Sequence, residues 1–307
     1  MPLDESGVGE FVSEVFTDDI PATSDLNKVY DITKGKDYNV NYIIIDFLTQ
    51  GVTDTPTLVE MLVKMGTMNI VTQGSGKWGT DLDFDDLYYR CIARNFEGKN
   101  QFIIGGGGGG DDFLGFRIIL DAGGNLTINN ELGWTPNLEA ELKIKYGADA
   151  GLDNSTIRIT KVGYRDGTPP KAVLAIDNAE ITPNAKGDLH KFNVNSGELL
   201  QEYFAFLTTE LNLATIQDIT TFGIQELQLR PHDEESKLRI LSYVNQMVDG
   251  INDDGADLIQ QYVRKMFDPK FQGYGIALNK DDVIAIKAGV AEATRHYISR
   301  LQPIAVI

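Results

Sequence analysis

The sequence predicts a mainly β chain, built as two sandwich barrels in tandem with short inserted helices. Three observations carry this. Short runs rich in β-branched and aromatic residues recur along most of the 307 residues, separated by glycine, proline and aspartate. One run, Leu138–Tyr146, alternates apolar and charged residues with period two. The order of elements in the first half returns in the second.

Residues 1–25 mix Gly, Ser, Asp and Pro with isolated Phe11, Val15 and Phe16, which reads as an arm lying over something and not as a domain. From Asn27 the texture is β: Val29–Ile32 and Asn39–Ile45 are strand-like. Thr57–Lys64 is a further apolar run, and Thr67–Thr72 follows Gly66. The loop Gln73–Gly79 leads into TDLDFDDLYYRCIARNF, where Thr80 or Asp81 can cap a helix and Asp83, Asp85 and Asp86 suit its first turn. Six glycines, Gly105–Gly110, precede strand-like runs at Gly115–Leu120 and Leu126–Ile128. In the next strand Leu138, Ala140, Leu142, Ile144 and Tyr146 face one way and Glu139, Glu141, Lys143 and Lys145 the other. Thr156–Tyr164 alternates less cleanly.

Gly167-Thr168-Pro169-Pro170 marks a boundary. The resulting division is an arm over 1–25, a first barrel over 26–168 and a second over 169–307. The second half reopens with strands at Ala172–Ile176 and Leu189–Asn195. The spacing of Leu199, Leu200, Tyr203, Phe204, Leu207 and Leu211 predicts a helix capped by Ser196. Strand runs resume at Ile224–Arg230 and Leu238–Val244, a second acidic-headed helix is predicted in NDDGADLIQQYVRKMFD, and Gly273–Leu278, Val283–Lys287 and Thr294–Ile298 close the chain.

Both predicted acidic-headed helices share one pattern: Asp86-Leu87, then Ile92, Arg94 and Phe96, against Asp257-Leu258, then Val263, Lys265 and Phe267. With GSGKWGTDLDFDDLYYRCIARNF before GFRIIL, and KLRILSYVN before DDGADLIQQYVRKMF, YGIAL and VIAIKAG, the order resembles that of the double jelly-roll major capsid proteins of tailless, icosahedral, membrane-containing bacterial viruses. The likeness is one of pattern and element order over most of 27–307. It implies two jelly-roll β-sandwich barrels in tandem, homotrimers with a pseudo-hexagonal footprint, neighbouring capsomers as partners, and a place in the virion capsid.

Composition sets limits on chemistry. Forty-five acidic against 27 basic residues give a formal charge of −18, which argues against a phosphate-neutralising surface and against docking on anionic lipid. The first 25 residues hold no Lys or Arg, so no direct nucleic-acid binding is expected, and the inner surface is expected to meet a membrane or a membrane-associated viral protein. The N-terminal segment lacks the pattern of a secretory signal, so synthesis in the host cytoplasm is expected. Cys91, the single cysteine, permits no intramolecular disulfide and reads as a small buried hydrophobe.

The glycine run lacks the Lys and Ser or Thr of a phosphate loop and is followed by Asp111 and Asp112, so it reads as an exposed loop. Acidic clusters offer oxygen ligands for a structural calcium between subunits, with Asp81, Asp83, Asp111, Asp112, Asp253 and Asp254 as candidates; no other cofactor is implied. No catalytic constellation can be argued around His190, His232 or His296, and the chain is expected not to be an enzyme. The alternative is a carbohydrate- or receptor-binding sandwich, spike or lectin-like, using Trp78, Trp134 and Tyr164.

Overall fold

The structure, a computed structural model, describes residues 10–20, 26–50, 58–73, 81–93, 103–104, 113–121, 133–147, 155–165, 170–182, 184–185, 187–193, 199–207, 224–229, 238–241, 262–266, 276–277, 283–288 and 294–304. The chain divides into two compact units, Met1–Ala175 with Gln302–Ile307, and Ile176–Leu301.

The first unit runs β1 (Glu10–Asp19), β2 (Asn27–Asp31), β3 (Tyr38–Gln50), α1 (Leu58–Met65), β4 (Thr67–Val71), β5 (Leu82–Asp83), α2 (Phe84–Ala93), β6 (Ile103–Ile104), β7 (Phe113–Asp121), β8 (Glu141–Lys145) and β9 (Ser155–Arg165). Its strands form two antiparallel sheets, β1-β9-β3-β7-β6 and β2-β8-β4-β5. The chain crosses between sheets again and again, so strands near in sequence rarely pair: this is the jelly-roll order.

Period-two patterning explains which face each strand buries. Leu142 and Ile144 of β8, with Ala140 and Tyr146 beside it, are fully buried, while Glu141, Lys143 and Lys145 stay at the surface. On β3, Ile43, Ile45 and Phe47 are fully buried opposite Leu120, Ile118 and Phe116 of β7, and Phe47 stacks on Phe116 with ring centroids 5.2 Å apart. Each such side chain contributes roughly 1.5–3 kcal/mol by leaving water. The register of β3 on β9 slips between Val40 and Tyr42. Gly163 lies at that bulge, where a Cβ would stand 1.7 Å from the Asn39 carbonyl oxygen, so only glycine fits.

The helix predicted over the acid-headed segment is α2. Asp85 and Asp86 occupy its first turn, Leu87, Tyr88 and Cys91 are buried, and Tyr88 meets Phe116 edge-on at 5.6 Å. The apolar run Thr57–Lys64, read within a β texture, is instead the helix α1. It ends at Gly66 (φ +65°), whose N–H donates to Leu62 and Val63 carbonyls at 3.1 Å, a glycine C-cap. Within the predicted arm, Glu10–Asp19 is the first strand of the first sheet, paired with β9 along its whole length. Charged and exposed residues hid it, because an edge strand buries little of itself.

The second unit runs β10 (Ala172–Ile181), β11 (Leu189–Asn193), β12 (Leu199–Leu207), β13 (Ile224–Leu229), β14 (Leu238–Leu241), β15 (Tyr262–Met266), β16 (Ile276–Ala277), β17 (Val283–Ala288) and β18 (Thr294–Pro303). Its sheets are β10-β18-β12-β15, with β16 also on β12, and β11-β17-β13-β14. The spatial order follows that of the first unit: β10 stands where β1 stands, β18 where β9 stands, β12 where β3 stands, and β15 and β16, both paired to β12, where β7 stands; β6 has no counterpart among the described residues.

Two predicted helices are corrected. Leu199–Leu207 is the strand β12, flanked by β18 on one side and by β15 and β16 on the other. Residues 200–205 are all buried, so no polar face exposes the strand period, and an apolar run without alternation fits a helix equally well. Within NDDGADLIQQYVRKMFD, Tyr262–Met266 is the strand β15; Asn252–Gln261 lies outside the described residues. The duplication is real, but Val263 and Lys265 belong to the strand equivalent to β7 and not to a copy of α2. Leu126–Ile128, read as a strand, lies outside the described residues.

Candidate functional site

The head of α2 is where acidic side chains converge. Asp83, Asp85 and Asp86 bring carboxylate oxygens within 4.8 Å of one another, the one such grouping of three among the described residues. Asp85 Oδ1 accepts the Asp86 N–H at 2.8 Å. Asp81 stands outside the group, at φ 48°, with its Oδ1 accepting from Asn69 Nδ2 at 3.3 Å. These acids face the N-terminal end of the helix dipole, which favours negative charge without any ion. Of the calcium candidates, Asp83 is therefore joined by Asp85 and Asp86 and not by Asp81. Asp111, Asp112, Asp253 and Asp254, and the glycine run, lie outside the described residues.

Cys91, Asp188 and His296 are turned to structural work. Cys91 is buried and its thiol donates to the Ile119 carbonyl at 3.2 Å. Asp188 Oδ2 accepts the backbone N–H groups of Asn184 and Ala185 at 2.9 and 3.1 Å, so it closes its own loop. His296 is buried, and its Nδ1 lies 2.7 Å from the Tyr203 hydroxyl. Burial, with a smaller push from His190 nearby, depresses the His296 imidazole to about 3. Burial also drives the Tyr203 hydroxyl well above its ordinary value. His190 sits on β11 and His296 on β18, strands of opposite sheets, and nothing in their sequence spacing announced that one bears on the other's charge. His232 lies outside the described residues.

Of the aromatic candidates for a sugar-binding face, the two described ones are otherwise engaged. Trp134 is fully buried and its backbone exchanges hydrogen bonds with Val40 at 2.8 and 2.9 Å. Tyr164 is covered edge-on by Phe11 at 5.9 Å. Trp78 lies outside the described residues.

Sequence reasoning missed two ion networks, because their members lie 22 to 147 residues apart in the chain. Asp46, 1% exposed, accepts from Arg117 Nε at 2.5 Å and Nη2 at 3.0 Å, and from Arg158 Nε at 2.9 Å and Nη2 at 2.6 Å. The three are direct cross-strand partners on β7, β3 and β9, and Asp46 raises the Arg117 guanidinium's already high pKa. Glu14 on β1 meets Lys36 at 2.8 Å, the buried Lys161 at 3.0 Å, and the Tyr38 hydroxyl. Burial opposes its ionisation, but these three partners together prevail and hold the Glu14 carboxyl at about 2. Burial lowers the Lys161 ammonium. A third set ties β1 to β2: Lys28 Nζ donates to Asp18 Oδ2 at 2.5 Å and to the Asp19 carbonyl at 2.7 Å, and the Tyr30 hydroxyl reaches Asp18 at 3.1 Å.

Both units have the same strand order, and the whole chain aligns with solved structures of like design. The STIV MCP superposes with a TM-score of 0.61 at 13% identity, covering 97% of this chain and 100% of that one. The fold is a double jelly roll. A chain from the atomic structure of Sulfolobus Turreted Icosahedral Virus gives 0.61 at 12% identity, covering 97% and 92%. The major capsid protein P2 of Bacteriophage PM2 gives 0.54 at 11% identity, covering 96% and 99%. The double jelly roll of this chain thus has counterparts in a Sulfolobus virus as well as in a bacteriophage. No protein family and no curated protein matches the sequence itself.

Proposed function

We propose that this chain is a viral major capsid protein that forms homotrimers tiling an icosahedral shell. The observation that carries the proposal is the repetition of one jelly-roll strand order in two successive units, over a length that coincides with solved capsid chains. Its work is assembly and not catalysis, in keeping with the structural role of those chains. Ion networks, a buried histidine and a buried thiol serve the sandwich cores. The burial of Trp134 counts against the carbohydrate-binding alternative.

The finer features belong to the same proposal. The chain is made in the host cytoplasm and resides in the virion capsid. Its inner surface meets a membrane or a membrane-associated protein, since a charge of −18 opposes contact with the genome. Among the described residues no helix is long and apolar enough to cross a membrane. Calcium between copies would offset their repulsion. The test is the solution mass, measured in calcium and in chelator: a trimer supports the proposal, equal masses in both conditions remove the ion from it, and retention on duplex DNA at physiological salt contradicts the inner-surface assignment.

A further inference from the structure

The outer face of the first sheet carries a charge imbalance of its own. One carboxylate, Asp46, stands between two guanidinium groups, so the triad holds a surplus of one positive charge on a chain of charge −18. Arg117 and Arg158 each spend Nε and Nη2 on Asp46, which lies beneath them. Neither Nη1 is bonded or buried, and the two side chains remain 28% and 40% exposed. The fold does not demand this arrangement. The register slips once on β3, between Val40 and Tyr42, and once on β12, between Leu200 and Glu202. With the two slips aligned, Phe206 stands where Asp46 does, Tyr262 where Arg117 does, and Arg295 where Arg158 does. The second barrel thus forms the same sheet with one of the three charges.

What surrounds the two arginines selects the ligand. Thr17 is the direct partner of Arg158 on β1, and Thr156 and Thr160 flank it on β9; all three reach the surface and carry hydroxyl donors. Ile44 and Leu48, on either side of Asp46 along β3, are half-buried on the same face. Two further acids share that face by register. Asp19, opposite Thr156, is exposed and pairs with neither arginine, and Asp121 stands farther off, opposite Tyr42 at the end of β7. With Asp46 beneath and Asp19 to one side, the surplus charge matches one singly charged anion, and a dense array of phosphates is repelled. Guanidinium forks meet a carboxylate in planar, two-point geometry. We propose that Arg117 and Arg158 form a binding site for a single carboxylate, presented by a partner protein segment with apolar neighbours.

Phenylglyoxal footprinting of the full chain tests it, with acetate as the probe carboxylate and the modified arginines read by mass spectrometry. Acetate in place of chloride at constant ionic strength should slow modification of Arg117 and Arg158 severalfold. Arg165, 36% exposed and already paired with Glu10 and Asp37, should keep its rate. Arg158→Gln leaves Asp46 both of its bonds from Arg117, so the variant should keep the wild-type far-UV circular dichroism while acetate no longer protects Arg117. Equal rates in acetate and chloride at both arginines would overturn the proposal. Protection of Arg117 that survives in Arg158→Gln would overturn the shared site, and protection by inorganic phosphate but not by acetate would overturn the carboxylate as its ligand. None of these outcomes depends on the mass of the chain in solution, so the capsid reading is tested separately.

Discussion

Replacing His296 with asparagine should flatten the acid dependence of the second unit's stability. In the native core the imidazole is held to about 3, whereas in the unfolded chain it takes up a proton near 6.5. Above pH 6.5 both states carry a neutral ring and the residue costs nothing. As pH falls from 6.5 toward 3, the unfolded state binds a proton that the native state refuses, and stability is lost. Each pH unit in that window is worth about 1.4 kcal/mol, so the fall between pH 7 and pH 5 is about 2 kcal/mol, before most carboxylates begin to titrate. Asparagine presents an oxygen that can accept from the Tyr203 hydroxyl as Nδ1 does, but it binds no proton. Urea unfolding at pH 7 and pH 5, followed by hydrogen exchange at β12 and β18 so that the two units are read separately, gives the two slopes. The wild type should lose about 2 kcal/mol and the variant markedly less. Equal losses would refute the claim that His296 is neutral because it is buried.

Asp46→Asn removes the anion between Arg117 and Arg158 and leaves two guanidinium groups facing each other; a loss of about 3 kcal/mol in the first unit is expected, read as a drop in its urea midpoint. Gly163→Ala places a methyl against the Asn39 carbonyl at the β3 bulge and should cost about 3 kcal/mol or prevent folding, whereas Gly35→Ala, where nothing lies within 4 Å, should cost about 1 kcal/mol from its φ of +66° alone. Far-UV circular dichroism and thermal melting separate the two.

How far the sequence discloses the structure depends on whether a residue's partners are local. The alternation of Leu138–Tyr146 is visible because one face of β8 meets solvent. The acids before Leu87 disclose α2 because helix-dipole complementarity is a local effect. β12 conceals its nature because it is covered on both faces, and β1 because it is covered on so little. The roles of Asp46, Glu14 and His296 are not local, since what fixes them arrives from residues over 70 positions away in the first case, over 20 in the second and over 90 in the third. The duplication was legible as an order of elements, while its residue-level alignment failed where a strand was matched to a helix.

The central claim, that this chain is an assembling subunit, is tested most directly by its mass in solution. Light scattering of the purified full chain should give three times 33.9 kDa at micromolar concentration. A mass of 33.9 kDa that does not rise with concentration, in calcium or in chelator, would contradict it.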